Sequence, residues 1–290
     1  MKIKPNKSLK SALWTFPSAL DFARQYPFSQ INGFKNRKHF KDVETYCMTI
    51  GCSRSGKSLI CSLLDAHSEI IIADELNTIH YIYGRFKRNQ IYYLILKNSK
   101  AAAKKGRVSK GNSFKVPNQW QGRFKELKII GDNSGVAVVD QLRSSLRLLH
   151  RLRKTIKENV KFLRIIRNPY DNISSIFLDR KDLKLDLKES LDYYFGLIDA
   201  ADNFKKDTKA TDIFELSYET FVENPKKNLS ELCSFLGVEA SDEYLDDCAS
   251  IVYKSPHKSR FDVKWTPELI ESVEAKIDRY PFLKGYSYEG

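Results

Sequence analysis

Eight consecutive residues carry the clearest chemistry in the chain. Gly51-Cys52-Ser53-Arg54-Ser55-Gly56-Lys57-Ser58 fit the pattern G-x-x-x-x-G-K-[ST]. In that pattern glycines let the backbone turn so tightly that successive N–H groups converge on an anion. Residues 43–50 before it (VETYCMTI) read as a strand, and residues 59–66 after it (LICSLLDA) read as a helix. The helix start would aim its positive end at the same point, and Lys57 would add a full charge. Arg54, Ser55, Gly56, Lys57 and Ser58 are therefore the expected anion ligands. A glycine–serine turn that binds nothing is the bland alternative, and the agreement of motif with flanking elements argues against it.

A second anion signal follows. Residues 161–166 (KFLRII) read as a strand leading to Arg167, and Pro169 makes a tight corner just beyond it. An arginine at the carboxyl end of a strand points into the ligand crevice of an open parallel sheet, and its planar fork suits a phosphate. Ser175, in the first turns of the next helix, is spaced to join it. A nucleoside-triphosphate enzyme would also need an acid at a strand end to hold Mg²⁺. Asp132, after the short strand of residues 127–130, is the candidate, although within residues 131–135 (GDNSG) it reads more simply as a turn residue.

These groups need a frame. Strands at 43–50, 69–73, 127–130, 161–166 and 212–216 alternate with helices at 59–66, 78–97, 141–158, after Asp171, and at 186–206, 225–236 and 267–279. That alternation predicts an α/β fold with a central parallel sheet. Residues 1–41 read as an N-terminal extension whose Trp14, Phe16, Leu20, Phe22 and Phe28 can pack on the body, leaving 42–290 as a single domain. Residues 100–128 are polar and basic and read as a long loop. In the helix at 141–158, Leu142, Leu146, Leu149, Leu152 and Ile156 form an apolar face, while Arg143, Arg147, Arg151 and Lys154 form a basic stripe.

Of 290 residues, 49 are Lys or Arg and 36 are Asp or Glu, a net charge of +13. That excess asks for an acidic partner: nucleic acid, anionic membrane or a small polyanion. No recognised nucleic-acid motif accompanies it, so no specific nucleic-acid partner is expected. A hydrophobic content of 42% excludes wholesale disorder. No apolar run reaches the roughly 18–20 residues that cross a bilayer, and no apolar core follows the basic start. Neither a transmembrane segment nor a cleaved secretory signal is expected. Cys47, Cys52, Cys61, Cys233 and Cys248 are scattered, without disulfide or metal-ligand spacing, which fits a reducing, cytoplasmic setting.

Taken together, the two anion signals make the chain resemble the sulfotransferases that use 3′-phosphoadenosine 5′-phosphosulfate (PAPS). Ser53-Arg54-Ser55-Gly56 through Leu64-Asp65-Ala66-His67 is similar to the branch that includes tyrosylprotein sulfotransferases and many bacterial relatives. Leu216-Ser217-Tyr218-Glu219-Thr220-Phe221-Val222, with Pro225 and Phe235-Leu236-Gly237-Val238, resembles the family's later strand–helix element. The resemblance runs from about residue 43 to the C-terminus. It implies a three-layer, P-loop nucleoside-triphosphate-hydrolase-like fold. It also implies PAPS as co-substrate, no metal, and in-line transfer to a hydroxyl acceptor such as a saccharide or small metabolite.

By the resemblance, residues 51–58 hold the 5′-phosphosulfate, with Lys57 neutralising charge, and Arg167 with Ser175 holds the 3′-phosphate. Glu75 takes the place of the general base, and Tyr218 lies near the nucleotide. Apart from the resemblance, the Lys/Arg-rich loop of residues 254–264 is a candidate to close over the 3′-phosphate, with Ser255, Arg260 and Lys264 as its candidate ligands, although a charge run reads more simply as a solvated face. His67 and His80 are weaker candidates for the base, and His67 reads as a structural residue at a helix end. Two departures stand out. Many relatives carry Thr where Lys57 stands, which keeps a P-loop kinase using Mg-ATP and Asp132 as the alternative. Many bacterial relatives carry Lys where Asn133 stands; Lys115 is a possible substitute, although it reads more simply as a solvated loop lysine. The acceptor pocket is expected in residues 78–128 and the N-terminal extension. The basic segments 100–128 and 143–154 point to an anionic acceptor such as a glycan. Oligomeric state is not legible.

Overall fold

The computed structural model describes residues 19–109, 111–134, 146–179 and 184–290. In chain order its strands are β1 (Thr45–Ile50), β2 (Ile70–Asp74), β3 (Val108–Ser109), β4 (Asn112–Ser113), β5 (Ile129–Asn133), β6 (Asn159–Ile166) and β7 (Ile213–Ser217). Its helices are α1 (Ala19–Lys35), α2 (Lys57–Leu64), α3 (Thr78–Tyr83), α4 (Arg88–Lys104), α5 (Leu146–Ile156), α6 (Pro169–Asp179), α7 (Leu187–Lys206), α8 (Tyr218–Glu223), α9 (Pro225–Leu236), α10 (Asp242–Ser250) and α11 (Pro267–Ile277). Five strands form one parallel sheet in the order β2-β5-β1-β6-β7, and β3 and β4 form a separate small hairpin. The fold is α/β with a central parallel sheet, as the alternation of elements predicts.

β1 and β5 are buried along their whole length, which is why central strands covered on both faces read as unbroken apolar runs. Side chains still alternate. Tyr46, Met48 and Ile50 of β1 join a core with Ile71, Ile130 and Phe162, covered by α3, α4 and α5. Cys47 joins the opposite core with Ile72, Leu163 and Ile165, covered by α2, α9 and α10. A third cluster packs α6, α7 and α11 around Tyr170, Tyr194 and Trp265. Phe22 and Tyr26 carry α1 onto the first layer, with ring centroids 5.7 and 4.9 Å from Phe86.

Three sequence expectations change. The helix expected at 78–97 is two helices, because the chain breaks at 84–87, where Arg85 takes a left-handed φ of 61°. The second of them, α4, runs on to Lys104, into the stretch read as loop: Ala101, Ala102 and Ala103 are strong helix formers, and Lys100 and Lys104 lie on the exposed face. Finally, residues 131–133 are not a turn but the continuation of β5 between two strands. A Cβ on Gly131 would lie 2.4 Å from the Cys47 carbonyl oxygen, so this crowded strand position requires glycine. Trp14, Phe16, Leu142 and Arg143 lie outside the described residues.

The rest of 100–128 is anchored by a buried ion pair between Arg107 and Asp65. Asp65 Oδ1 accepts from Ile72 N and Ser99 Oγ, each at 2.7 Å, and Oδ2 accepts from Gly122 N at 2.9 Å. Arg107 also donates to the Ile72 carbonyl at 2.7 Å. Burial pushes the Asp65 carboxyl up, and Arg107 opposes this most strongly. All five cysteines are free and buried. Among the described residues no helix is long and apolar enough to cross a membrane.

Candidate active site

β1 delivers the chain into the anion loop, which is made by three residues in left-handed backbone: Gly51 (φ 101°), Arg54 (φ 63°) and Gly56 (φ 98°). Gly56 is both the turn residue and the N-cap of α2. A Cβ there would lie 2.4 Å from Tyr218 Cδ2, so the Tyr218 ring packs directly under the loop. Ser55 Oγ closes the turn by donating to the Cys52 carbonyl at 3.1 Å. Lys57 opens α2 and is buried, with Nζ donating to the Ser134 carbonyl at 3.1 Å. Burial lowers its pKa, and Glu75 is the strongest of the charges that oppose the drop. Ser58, half-buried at the mouth, accepts from Asn133 Nδ2 at 3.4 Å; the same amide reaches Asp74 Oδ1 at 3.3 Å.

β6 ends one residue before Arg167, and Pro169 then starts α6. Arg167 Nη1 donates to the Arg54 carbonyl at 3.1 Å and to Ser175 Oγ at 3.4 Å. Its Nη2 donates to the His257 carbonyl at 2.5 Å and to Ser259 Oγ at 3.3 Å. Ser175 and Ser259 are themselves joined at 3.0 Å. The Arg167 guanidinium carbon lies 5.4 Å from the centre of the Tyr218 ring. The two anion signals, distant in sequence, thus form one continuous polar floor.

That floor contains polar atoms with nothing to bind. Ser53 Oγ, Arg54 Nε, Arg167 Nε and Asn172 Oδ1 are buried without a hydrogen-bond partner, while Asn172 Nδ2 holds the Ser53 carbonyl at 2.7 Å. Four around one loop mark a place prepared for a polar ligand.

Not every expected ligand joins the floor. Ser255 is exposed, and Ser259 stands beside Arg167 and Ser175 in its place. Arg260 is turned to Asp171, donating from Nη1 at 2.7 Å and from its backbone N at 2.9 Å, so it ties the loop to α6. The Arg54 guanidinium pairs with Asp179, and it is the Arg54 carbonyl that meets Arg167. Lys115 and Lys264 are exposed. Ser259 escapes a sequence reading because it and Ser255 share one Lys/Ser-rich loop, where nothing local chooses between them. Asn172 has no local signal at all.

On the opposite side of the loop, Glu75 follows β2 in left-handed backbone (φ 51°), exposed, with its N–H donating to the Asn133 carbonyl at 3.0 Å. Asp132 is neither a turn residue nor free for a metal. Its Oδ1 accepts from Leu76 N at 3.1 Å; its Oδ2 accepts from Thr78 N, Thr78 Oγ1 and Ser134 Oγ at 2.7, 3.0 and 3.3 Å. Both oxygens are spent on the turn that presents Glu75, and burial pushes the carboxyl up to about 6. His67 donates from Nε2 to the Glu239 carbonyl at 2.9 Å and accepts at Nδ1 from Glu69 N at 3.1 Å, a structural tie in the neutral form. Burial lowers the pKa of both His67 and His80.

Comparisons with known proteins bear on the fold and the family. The profile of the sulfotransferase family (Sulfotransfer_3) matches residues 48–242, more than half of the chain. No curated protein matches it. Among solved structures, the sulfotransferase domain from the curacin biosynthetic pathway is similar at 16% identity and a TM-score of 0.50, over 81% of this chain and 97% of that one. The sulfotransferase domain from the Synechococcus PCC 7002 olefin synthase is 19% identical with a TM-score of 0.45, over 80% and 84%. Mouse sulfotransferase SULT7A1, complexed with PAP, is 11% identical with a TM-score of 0.48, over 82% and 84%. At these identities structural likeness speaks to the fold alone; the match of the family profile, which spans the anion loop, Arg167 and Ser175, goes further. The chain belongs to the sulfotransferase family.

Proposed function

We propose that the protein moves a sulfuryl group from PAPS to a hydroxyl acceptor, a saccharide or small metabolite, with Glu75 as general base. The observation that carries this reading is the four-way fork of Arg167. It joins the loop of residues 51–58 to Ser175 and Ser259, making one floor with an anion cradle at each end. A nucleotide with a phosphosulfate at one end and a phosphate at the other fits such a floor, and the orphaned Ser53 Oγ and Arg167 Nε supply unused polar contacts.

PAPS supplies an electrophilic sulfur and leaves as adenosine 3′,5′-bisphosphate. Lys57 and the N–H groups opening α2 neutralise the charge that grows on the leaving oxygen. Arg167, through its unpartnered Nε, anchors the 3′-phosphate together with Ser175 and Ser259, and Tyr218 supports the loop from below through Gly56. Glu75 takes the proton of the attacking hydroxyl. Asp132 positions Glu75 by fixing Leu76 and Thr78, so the base costs little to orient at the moment of transfer. Ser55 and Ser58 complete the phosphosulfate end.

The kinase alternative needs Asp132 as metal-binding acid, and the occupancy of both its oxygens speaks against that. We also read residues 42–290 as one catalytic domain with 1–41 as an extension, and the five buried free cysteines support a reducing, cytoplasmic setting. Calorimetry with adenosine 3′,5′-bisphosphate in magnesium-free buffer tests the proposal. Saturable binding is expected; no binding, alongside tight binding of Mg-ATP, would overturn it.

A further inference from the structure

Helix α5 presents Arg147, His150, Arg151 and Lys154 at helical spacing, and these four side chains line a groove of about 500 Å³. The other face of α5 is buried through Leu148, Leu149, Leu152 and Ile156. A basic face on an amphipathic helix is ordinarily just solvated, but three observations set this one apart. It is a shallow, open recess, and the described residues that line it are all basic. Nearby cations are neutralised, since Arg153 and Lys161 pair with Asp212, and Arg88 pairs with Glu158. Among the described residues no carboxylate pairs with any of the four. Arg151 is also oriented, donating from Nη1 to the Tyr83 carbonyl at 3.3 Å.

Tyr83 ends α3, and α3 begins just after the turn that carries Glu75. Six helical residues rise about 9 Å. The groove therefore opens at one end of a short helix whose other end holds the candidate base. Its cations from Arg147 to Lys154 span about 10 Å along α5, which suits several separated anionic groups better than a single phosphate.

We propose that this groove holds an anionic segment of the acceptor, an acidic saccharide carrying sulfate or carboxylate groups, while a hydroxyl of the same molecule reaches Glu75. This deepens, and rests on, the sulfotransferase reading above. None of the four groove residues belongs to the nucleotide floor, so the two share no side chain and can be occupied together. Charge attraction in the groove selects the acceptor and contributes to its KM, and the chemical step is left to the loop, Arg167 and Glu75.

The test is equilibrium binding of a sulfated dextran oligosaccharide to the full chain saturated with adenosine 3′,5′-bisphosphate, with unsulfated dextran of equal length as control. We compare wild type with Arg147→Ala/Arg151→Ala/Lys154→Ala. We expect the triple variant to lose about tenfold or more in saccharide affinity at low salt, with nucleotide affinity unchanged. If the triple variant folds poorly, Arg147→Ala and Lys154→Ala, each at an exposed position, are measured singly, with severalfold losses expected. Equal affinity in wild type and variants would overturn the proposal. So would equal binding of unsulfated dextran, displacement of the saccharide by the nucleotide, or tighter binding of a DNA oligonucleotide. Saccharide binding that depends on the groove in a protein that ignores the nucleotide would uphold the groove and refute the cofactor reading; nucleotide binding without saccharide binding would do the reverse.

Discussion

Replacing Arg167 separates the two things an arginine brings: a charge and a fork. The fork reaches the Arg54 carbonyl, Ser175, the His257 carbonyl and Ser259 at 2.5–3.4 Å, from a side chain that is only 9% exposed. A hydrogen bond involving a charged group contributes about 1.5–3 kcal/mol when buried. Arg167→Ala removes the charge and the fork together, and the expected loss of adenosine 3′,5′-bisphosphate affinity is about 2–3 kcal/mol, roughly 30- to 150-fold. Arg167→Lys keeps the charge, but a single ammonium cannot span the Arg54 carbonyl and Ser259 at once. It should lose about 1.5 kcal/mol, roughly tenfold. Calorimetry gives the affinities, and near-ultraviolet circular dichroism confirms that the variants remain folded. With PAPS as substrate, kcat/KM should fall with affinity while kcat changes little, because an anchor on the 3′-phosphate binds ground and transition states alike. An Arg167→Lys protein equal to wild type would refute the role of the fork, and an Arg167→Ala protein equal to wild type would refute the second cradle altogether.

Ser259→Ala should weaken nucleotide binding by about 1 kcal/mol, roughly fivefold, while Ser255→Ala leaves it within about twofold; titration of both variants checks the pair. Lys57→Met should abolish nucleotide binding yet leave the free protein at least as stable, since burial already disfavours the ammonium; a lower melting temperature would contradict this. For Asp132 the folded pKa is raised, to about 6 from the ordinary 3.8. Its contribution to stability is therefore fully present below pH 3.8 and is lost as pH rises through 6. The lost amount is about 3 kcal/mol. Asp132→Asn should remove that part of the pH dependence, which urea unfolding of both proteins at pH 4 and pH 7 will reveal.

The anion loop was legible because its signals are local. Glycines at 51 and 56, a β-branched run before them and an apolar helix after them lie within about twenty residues of one another. Arg167 and Ser175 were legible for a similar reason, since strand end, proline corner and helix start set their spacing. What was not legible depends on partners far away in the chain. Asp132 looked like a turn residue because nothing near it shows that β5 continues through Gly131 between β1 and β2, or that its carboxylate meets Leu76 and Thr78. Ser259 is picked out only by the approach of α6. Arg260 and Arg54 carry the right charge for an anion, but Asp171 and Asp179 claim their guanidinium groups. The basic run at 100–128 looked irregular because charge masks both an alanine-rich helix end and a buried arginine bound to Asp65.

The central claim is sulfuryl transfer from PAPS with Glu75 as base. The most direct measurement follows label from PAPS into a panel of hydroxylated acceptors, comparing wild type with Glu75→Gln. Wild type should label at least one acceptor, and Glu75→Gln should do so at least about a hundredfold more slowly, the usual scale of a lost general base, with unchanged affinity for adenosine 3′,5′-bisphosphate. Full activity in Glu75→Gln would contradict the role of the base, and magnesium-dependent phosphate transfer from ATP by a protein that ignores PAPS would contradict the account as a whole.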